Sequence, residues 1–189
     1  MTLSTYYRKT WRNDDAGNAA YGLHFALNHK LGDRSDVHFS MGHELRDYAA
    51  QNYLDSKITH GSLNVGYQIN PSTAIRGGLG AEFDRVPEAT HLQHHAYKAF
   101  MGITKSWHTD LQASFGLEVG QRNFAGDYPL TTYARHDTYS KINMSLQDAR
   151  INFSGFAPRL ACSYTLNASN VAFFDYRAAD CQVTISKQF

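Results

Sequence analysis

Apolar and polar residues alternate with a period of two along nearly the whole chain. The pattern is cleanest over 179–189, where Cys181, Val183, Ile185 and Phe189 share one face and Asp180, Gln182, Thr184, Ser186 and Gln188 share the other. Successive side chains of a strand point to opposite faces, so such a segment has one apolar side and one polar side. About ten segments read this way. They are 2–11, 20–30, 36–48, 60–69, 73–85, 94–107, 111–124, 138–147, 154–166 and 179–189, the first being the least regular. In the fifth, Ile75, Leu79, Ala81 and Phe83 oppose Arg76, Glu82 and Asp84. The pattern predicts an all-β chain of antiparallel strands.

The links between these segments alternate in length. Residues 32–35, 70–72, 108–110 and the stretch after Gln147 read as short, whereas 12–18, 50–57, 86–90, 125–137 and 167–178 read as longer or more polar. Short turns on one rim and longer loops on the other are what an outer-membrane barrel shows. With this parity Phe189 falls on the short-turn, periplasmic rim. A strand closing on Val183, Ile185 and Phe189 resembles the assembly signal of bacterial outer-membrane β-barrels, so the apolar face is expected to meet lipid. Trp107 and Tyr67 lie near short turns and Trp11, Tyr48, Tyr97 and Tyr164 nearer the longer links, as two interfacial belts would place them.

The polar face carries both signs of charge: Arg76, Glu82, Asp84, Lys98, Glu118, Arg122, Lys141 and Arg159, with Glu44 and Arg46. A transmembrane barrel would line a wet lumen with them; a soluble barrel would turn them to bulk water. Loop parity and the terminal Phe favour lipid outside. Composition is compatible with this. The 189 residues are 42% hydrophobic, and no stretch approaches the roughly 20 apolar residues of a membrane helix. A mean hydropathy of -0.47 does not argue against a barrel, because its two faces average out. Twelve Tyr and eleven Phe against four Pro suit strands. A net charge of +1 and the absence of a basic cluster argue against nucleic acid as a partner. The N-terminus, MTLSTYYRKTW, has no apolar signal region, so the expectation is the C-terminal portion of a longer exported protein.

Little in the chain reads as bond chemistry. His91, His94 and His95 cluster without a Cys or carboxylate at ligand spacing, so neither a metal nor a cofactor is expected. Asp14, Asp15, His136 and Asp137 are the conceivable rim catalysts, but no nucleophile motif accompanies them and no enzyme activity is expected. Gly77, Gly78 and Gly80 read as strand glycines easing curvature, not a phosphate loop. Cys162 and Cys181 fall on the same face of consecutive strands, about equidistant from the intervening link. A disulfide and two small lipid-facing thiols are both compatible with that placement.

The last third carries a more specific pattern. Gly155-Phe156-Ala157-Pro158-Arg159-Leu160, then Tyr164, Ser169-Asn170, Tyr176 and the closing Lys187-Gln188-Phe189 resemble the C-terminal hairpin of the surface lipoprotein assembly modifier family. Phe124-Ala125-Gly126-Asp127-Tyr128, leading to Arg135 and Asp137, resembles the preceding loop and strand. The resemblance implies an outer-membrane barrel paired with a periplasmic tetratricopeptide-repeat domain, moving lipoproteins or secreted proteins outward. Its partners would be outer-membrane lipid, the barrel-assembly machinery and a client lipoprotein or secreted protein. The expectation is therefore an antiparallel up-and-down transmembrane β-barrel of about ten strands spanning 1–189, part of a larger barrel or closing a smaller one unaided. The alternatives are a passive porin-like channel and a soluble β-barrel binding module.

Overall fold

The computed structural model describes residues 1–12, 15–107, 111–129, 131–151 and 156–187, of which Trp11, Arg12, Asp15, Ala16, Phe156, Ser186 and Lys187 are described by backbone alone. Ten strands form one antiparallel meander in which each pairs with its neighbours in sequence. They are β1 (Thr2–Arg12), β2 (Asp15–Lys30), β3 (Ser35–Tyr48), β4 (Ser56–Asn70) and β5 (Thr73–Arg85). The remainder are β6 (His94–Trp107), β7 (Leu111–Asp127), β8 (Ala134–Asp148), β9 (Phe156–Ser169) and β10 (Tyr176–Lys187). Single 3-10 turns at Asn52–Leu54 and Ala172–Phe174 are the helical elements among the described residues. Among the described residues no helix is long and apolar enough to cross a membrane.

The strands run further toward the long-link rim than the alternation predicts. β2 begins at Asp15, directly opposite Arg12, so most of the expected 12–18 loop is paired strand. The expected 125–137 and 167–178 loops shrink to 128–133 and 170–175, while the link after Gln147, expected to be short, spans 149–155. The cause is that a backbone ladder needs no apolar side chains. Beyond the apolar band both faces of a strand are polar, so alternation stops while hydrogen bonding continues.

Every strand turns most of its large apolar residues to the same side, and that side is the exposed one. Leu79 is 63% exposed and Met101 65%, and Leu63, Phe115, Met144 and Ile185 are likewise exposed. Buried hydrophobic residues among those described are few and small: four alanines, Ile58, Val86 and Val171. Glu44, in contrast, is 5% exposed and Asp137 only 1%. This inverts a water-soluble core, which buries large apolar groups and exposes charge. Along β7 the outward apolar residues run from Leu111 to Val119. At roughly 3.4 Å per residue and a tilt of roughly 40°, that stretch stands about 21 Å tall, close to the roughly 25 Å apolar band of outer-membrane barrels.

Two of the expected belt aromatics, Tyr48 and Tyr164, do not sit in a rim belt. Strand alternation puts Tyr48 on the inner face with Glu44 and Arg46, and Tyr164, opposite Ile142 and Ala179, lies at mid-height instead of at a rim. The ring near the long-link rim is Tyr97 with Tyr7 and Tyr21, whose centroids are 5.0 Å apart. The Trp11 side chain lies outside the described residues. β1 and β10 are the two edges of the sheet, and no ladder joins them among the described residues.

Candidate functional site

Arg76, Glu82, Asp84, Lys98, Glu118, Arg122, Lys141 and Arg159 all fall on the inner face. Several of them engage other inner-face groups across strands. Arg76 meets Asp36 at 3.5 Å, Glu82 meets His94 at 3.4 Å and Lys98 meets Glu118 at 3.7 Å. Tyr139 donates its hydroxyl to Glu118 at 3.1 Å, and Arg159 donates to Ser145 at 3.1 Å. Asp84 Oδ1 and Arg122 Nε are buried without a hydrogen-bond partner among the described residues. The sheet curls enough that Arg46 of β3 and Tyr176 of β10 line one cavity of about 700 Å³, with Glu82, Lys98 and Arg122 between them. A second inner cavity of about 670 Å³ lies toward the short-turn rim, against Arg76, Ser114 and Asn143.

The tightest inner cluster is not legible in the sequence. Tyr6 donates its hydroxyl to Glu44, which also accepts from Arg46 and, at 3.3 Å, from Arg8. The Tyr6 ring reaches Glu44 across β2 because Gly22 lies beneath it; a Cβ there would clash with the ring. Three strands contribute to the cluster, and only their mutual register reveals it.

The family-like residues converge at the long-link rim. Arg135 forms a two-pronged bond to the buried Asp137 carboxylate, with distances of 2.9 and 2.5 Å. Its guanidinium stacks 4.4 Å from the Phe124 ring centroid and 3.3 Å from that of Phe174. Ser169 also hydrogen-bonds Asp137. Asn170 ties the link to β8, accepting from His136 N at 2.7 Å and donating to Ala134 O at 2.9 Å. Asn167, opposite Tyr176, donates to Phe174 O at 2.7 Å, and Tyr128 meets Phe174 edge-on. Between Asn123 and Asp127, where its register with β8 shifts, β7 bonds the preceding link through Ala125 N to Gln93 O at 2.9 Å and Gly126 N to Thr90 O at 3.0 Å. Gly126 permits that approach, since a Cβ would meet Thr90 Oγ1 at 2.5 Å and His91 N at 2.8 Å.

The other motif residues lie away from this cluster. Leu160 and Tyr164 face outward, and Pro158 sits opposite Ile185 beyond the end of the β8–β9 ladder, where its missing N–H costs no bond to β8. Val183 is outward and exposed. Gly155, the Phe156 side chain and Phe189 lie outside the described residues, as does Asp14. Cys162 and Cys181 stand directly opposite each other with Cα atoms 4.1 Å apart and are joined by a disulfide on the outward face. The histidines disperse: His94 turns inward to Glu82, while His95 turns outward toward Asn123. No metal-competent group of three appears among the described residues. His136 and Asp137, adjacent in sequence, occupy opposite faces, and Asp15 pairs with Arg12 at the β1–β2 end.

No curated protein matches this chain. Among solved structures, the beta domain of the Bordetella autotransporter Brka is similar over 97% of this chain and 82% of that one, at 12% identity and a TM-score of 0.46. The profile of the surface lipoprotein assembly modifier family matches residues 1–189, so the resemblance first read from the last third extends over the whole sequence, and the chain belongs to that family.

Proposed function

We propose that this chain is the outer-membrane barrel of a translocon that helps deliver lipoproteins or secreted proteins to the bacterial surface. The observation that carries the membrane half of this reading is the inverted sheet: large apolar residues exposed on one side of every strand, charges half-buried on the other. Water would disfavour so large a continuous apolar surface, whereas hydrocarbon favours it. The soluble-module alternative would have to hide that surface against a partner. Family membership supports the delivery half. In this reading there is no bond chemistry. The inner face guides a partly folded or lipidated client past groups such as Arg76, Glu82 and Arg122, or the client engages the edge between β1 and β10.

The test is expression with an export signal, followed by outer-membrane fractionation and gel migration with and without boiling. A band that shifts only on boiling supports a closed, lipid-embedded barrel; soluble, unshifted protein overturns it. Deletion in the native host should then abolish client display. The two inner cavities keep a passive channel as the competing reading, and steady conductance with unaltered client display after deletion would favour it.

A further inference from the structure

Lys57 of β4 and Arg85 of β5 stand directly opposite each other at the long-link end of their ladder, on the outward face. Both are exposed, and neither joins an ion pair among the described residues. Like charges directly opposite across a ladder repel, so the pair is stabilised by an anion that both can touch. Asp47, the outward carboxylate on neighbouring β3, sits two residues further toward the rim than Leu45, the partner of Lys57, past the end of the β3–β4 ladder, and forms no ion pair with Lys57 among the described residues. Glu44 and Asp84 are on the opposite face and cannot serve.

The apolar belt begins immediately below. Phe83 lies one outward position down β5 from Arg85, and Gly61 and Ala81 form a shallow dip one position further, with Met41 and Tyr97 on either side. Cations at the rim above an apolar trough match an amphiphile with an anionic head and a hydrocarbon tail. Given the membrane reading above, on which this rests, we propose that Lys57 and Arg85 bind the phosphate of an outer-leaflet lipid whose acyl chain lies along the Gly61–Ala81 dip. The guanidinium offers the two-pronged geometry phosphate accepts, and the ammonium adds a second, flexible charge.

The experiment uses the full chain extracted from outer membranes in mild detergent, with retained lipopolysaccharide measured by native mass spectrometry. The parent is compared with Lys57→Gln/Arg85→Gln and with Lys105→Gln, a change at the opposite rim, where the Lys105 ammonium donates to Ser72 and Thr73. Heat-modifiable migration confirms that each variant folds. Loss of two cations facing an anionic lipid should weaken retention roughly thirtyfold in the double variant and leave Lys105→Gln near the parent. Inorganic phosphate added to the parent should fail to displace the lipid. Equal retention by parent and double variant, or complete displacement by inorganic phosphate, overturns the lipid site while leaving a heat-modifiable barrel intact. A parent that is neither membrane-embedded nor heat-modifiable overturns the membrane reading and the lipid site with it.

Discussion

Replacing Leu79 by Arg separates a lipid-facing sheet from a water-facing one more sharply than any fold comparison. Leu79 is the middle residue of the thirteen in β5, is 63% exposed, and lies opposite Leu63 on one side and Ala99 on the other. In water, charging a side chain that is already mostly solvated changes stability by only about 0.5 kcal/mol in either direction. At the bilayer midplane the same change costs about 2–4 kcal/mol, because the guanidinium must be desolvated or drag water inward. Asn143→Arg is the matched control. Asn143 is exposed on the inner face against the cavity of about 670 Å³, where a new charge stays wet. The assay is urea unfolding in phosphatidylcholine vesicles followed by tryptophan fluorescence. Leu79→Arg should lose at least about 2 kcal/mol and Asn143→Arg less than about 1 kcal/mol. Equal losses, or the reverse order, would refute the assignment of faces.

Three further outcomes follow from the packing. Arg135→Ala or Asp137→Ala alone should cost about 3–5 kcal/mol by stranding a buried charge, while the double variant should cost clearly less than the sum, since no unpaired ion remains; additive losses in the urea assay would deny the pairing its role. Cys162→Ser/Cys181→Ser should lower stability by about 3 kcal/mol, the value for closing a loop of this length, and non-reducing thiol labelling of the parent should find no free cysteine. Gly126→Val should cost about 1–3 kcal/mol and open the 86–93 link to limited proteolysis, because its Cβ would press on Thr90 and His91 backbone.

The strands were legible where one face is apolar and the other polar, which is the height of the lipid band; β5 and β6 match the alternation end to end. Above the band the signal disappears, because polar residues on both faces carry no period while the ladder continues, as at Ala134–Thr138 and Asn167–Ser169. The inner charges were legible as a face but not as pairs. Which partner Glu44 takes depends on β1 register, and β1, with Thr5 and Lys9 on its outward face, has the weakest alternation. The rim cluster is half visible: Phe124, Arg135, Asp137, Ser169 and Asn170 belong to the family-like motif. Phe174, which stacks on Arg135, does not, and nothing in its local spacing marks it as a contact.

The register also speaks to what closes the two edges. Following hydrogen-bonded partners from Thr2 crosses Ala26, Ser40, Ser62, Gly80, Lys98, Gly120, Tyr139 and Asn167 and arrives at Tyr176. The short-turn end of β1 is thus in line with the long-link end of β10. Setting the two short-turn ends side by side requires a slide of about ten or twelve residues, even so that faces match, or roughly 34–41 Å. Ten strands at roughly 4.8 Å make a circumference of about 48 Å, so the implied tilt is about 35–40°, within the range of closed barrels. Hydrocarbon penalises each unpaired backbone group by several kcal/mol, which makes edge-to-edge closure strongly favoured if no other strand intervenes. The prediction is that Leu3→Cys crosslinks with Ile185→Cys or Lys187→Cys, in a Cys162→Ser/Cys181→Ser background, in folded heat-modifiable protein, while Leu3→Cys with Ala179→Cys does not. Folded protein in which none of these pairs crosslinks would mean that further strands separate β1 from β10 and that the barrel is larger than ten.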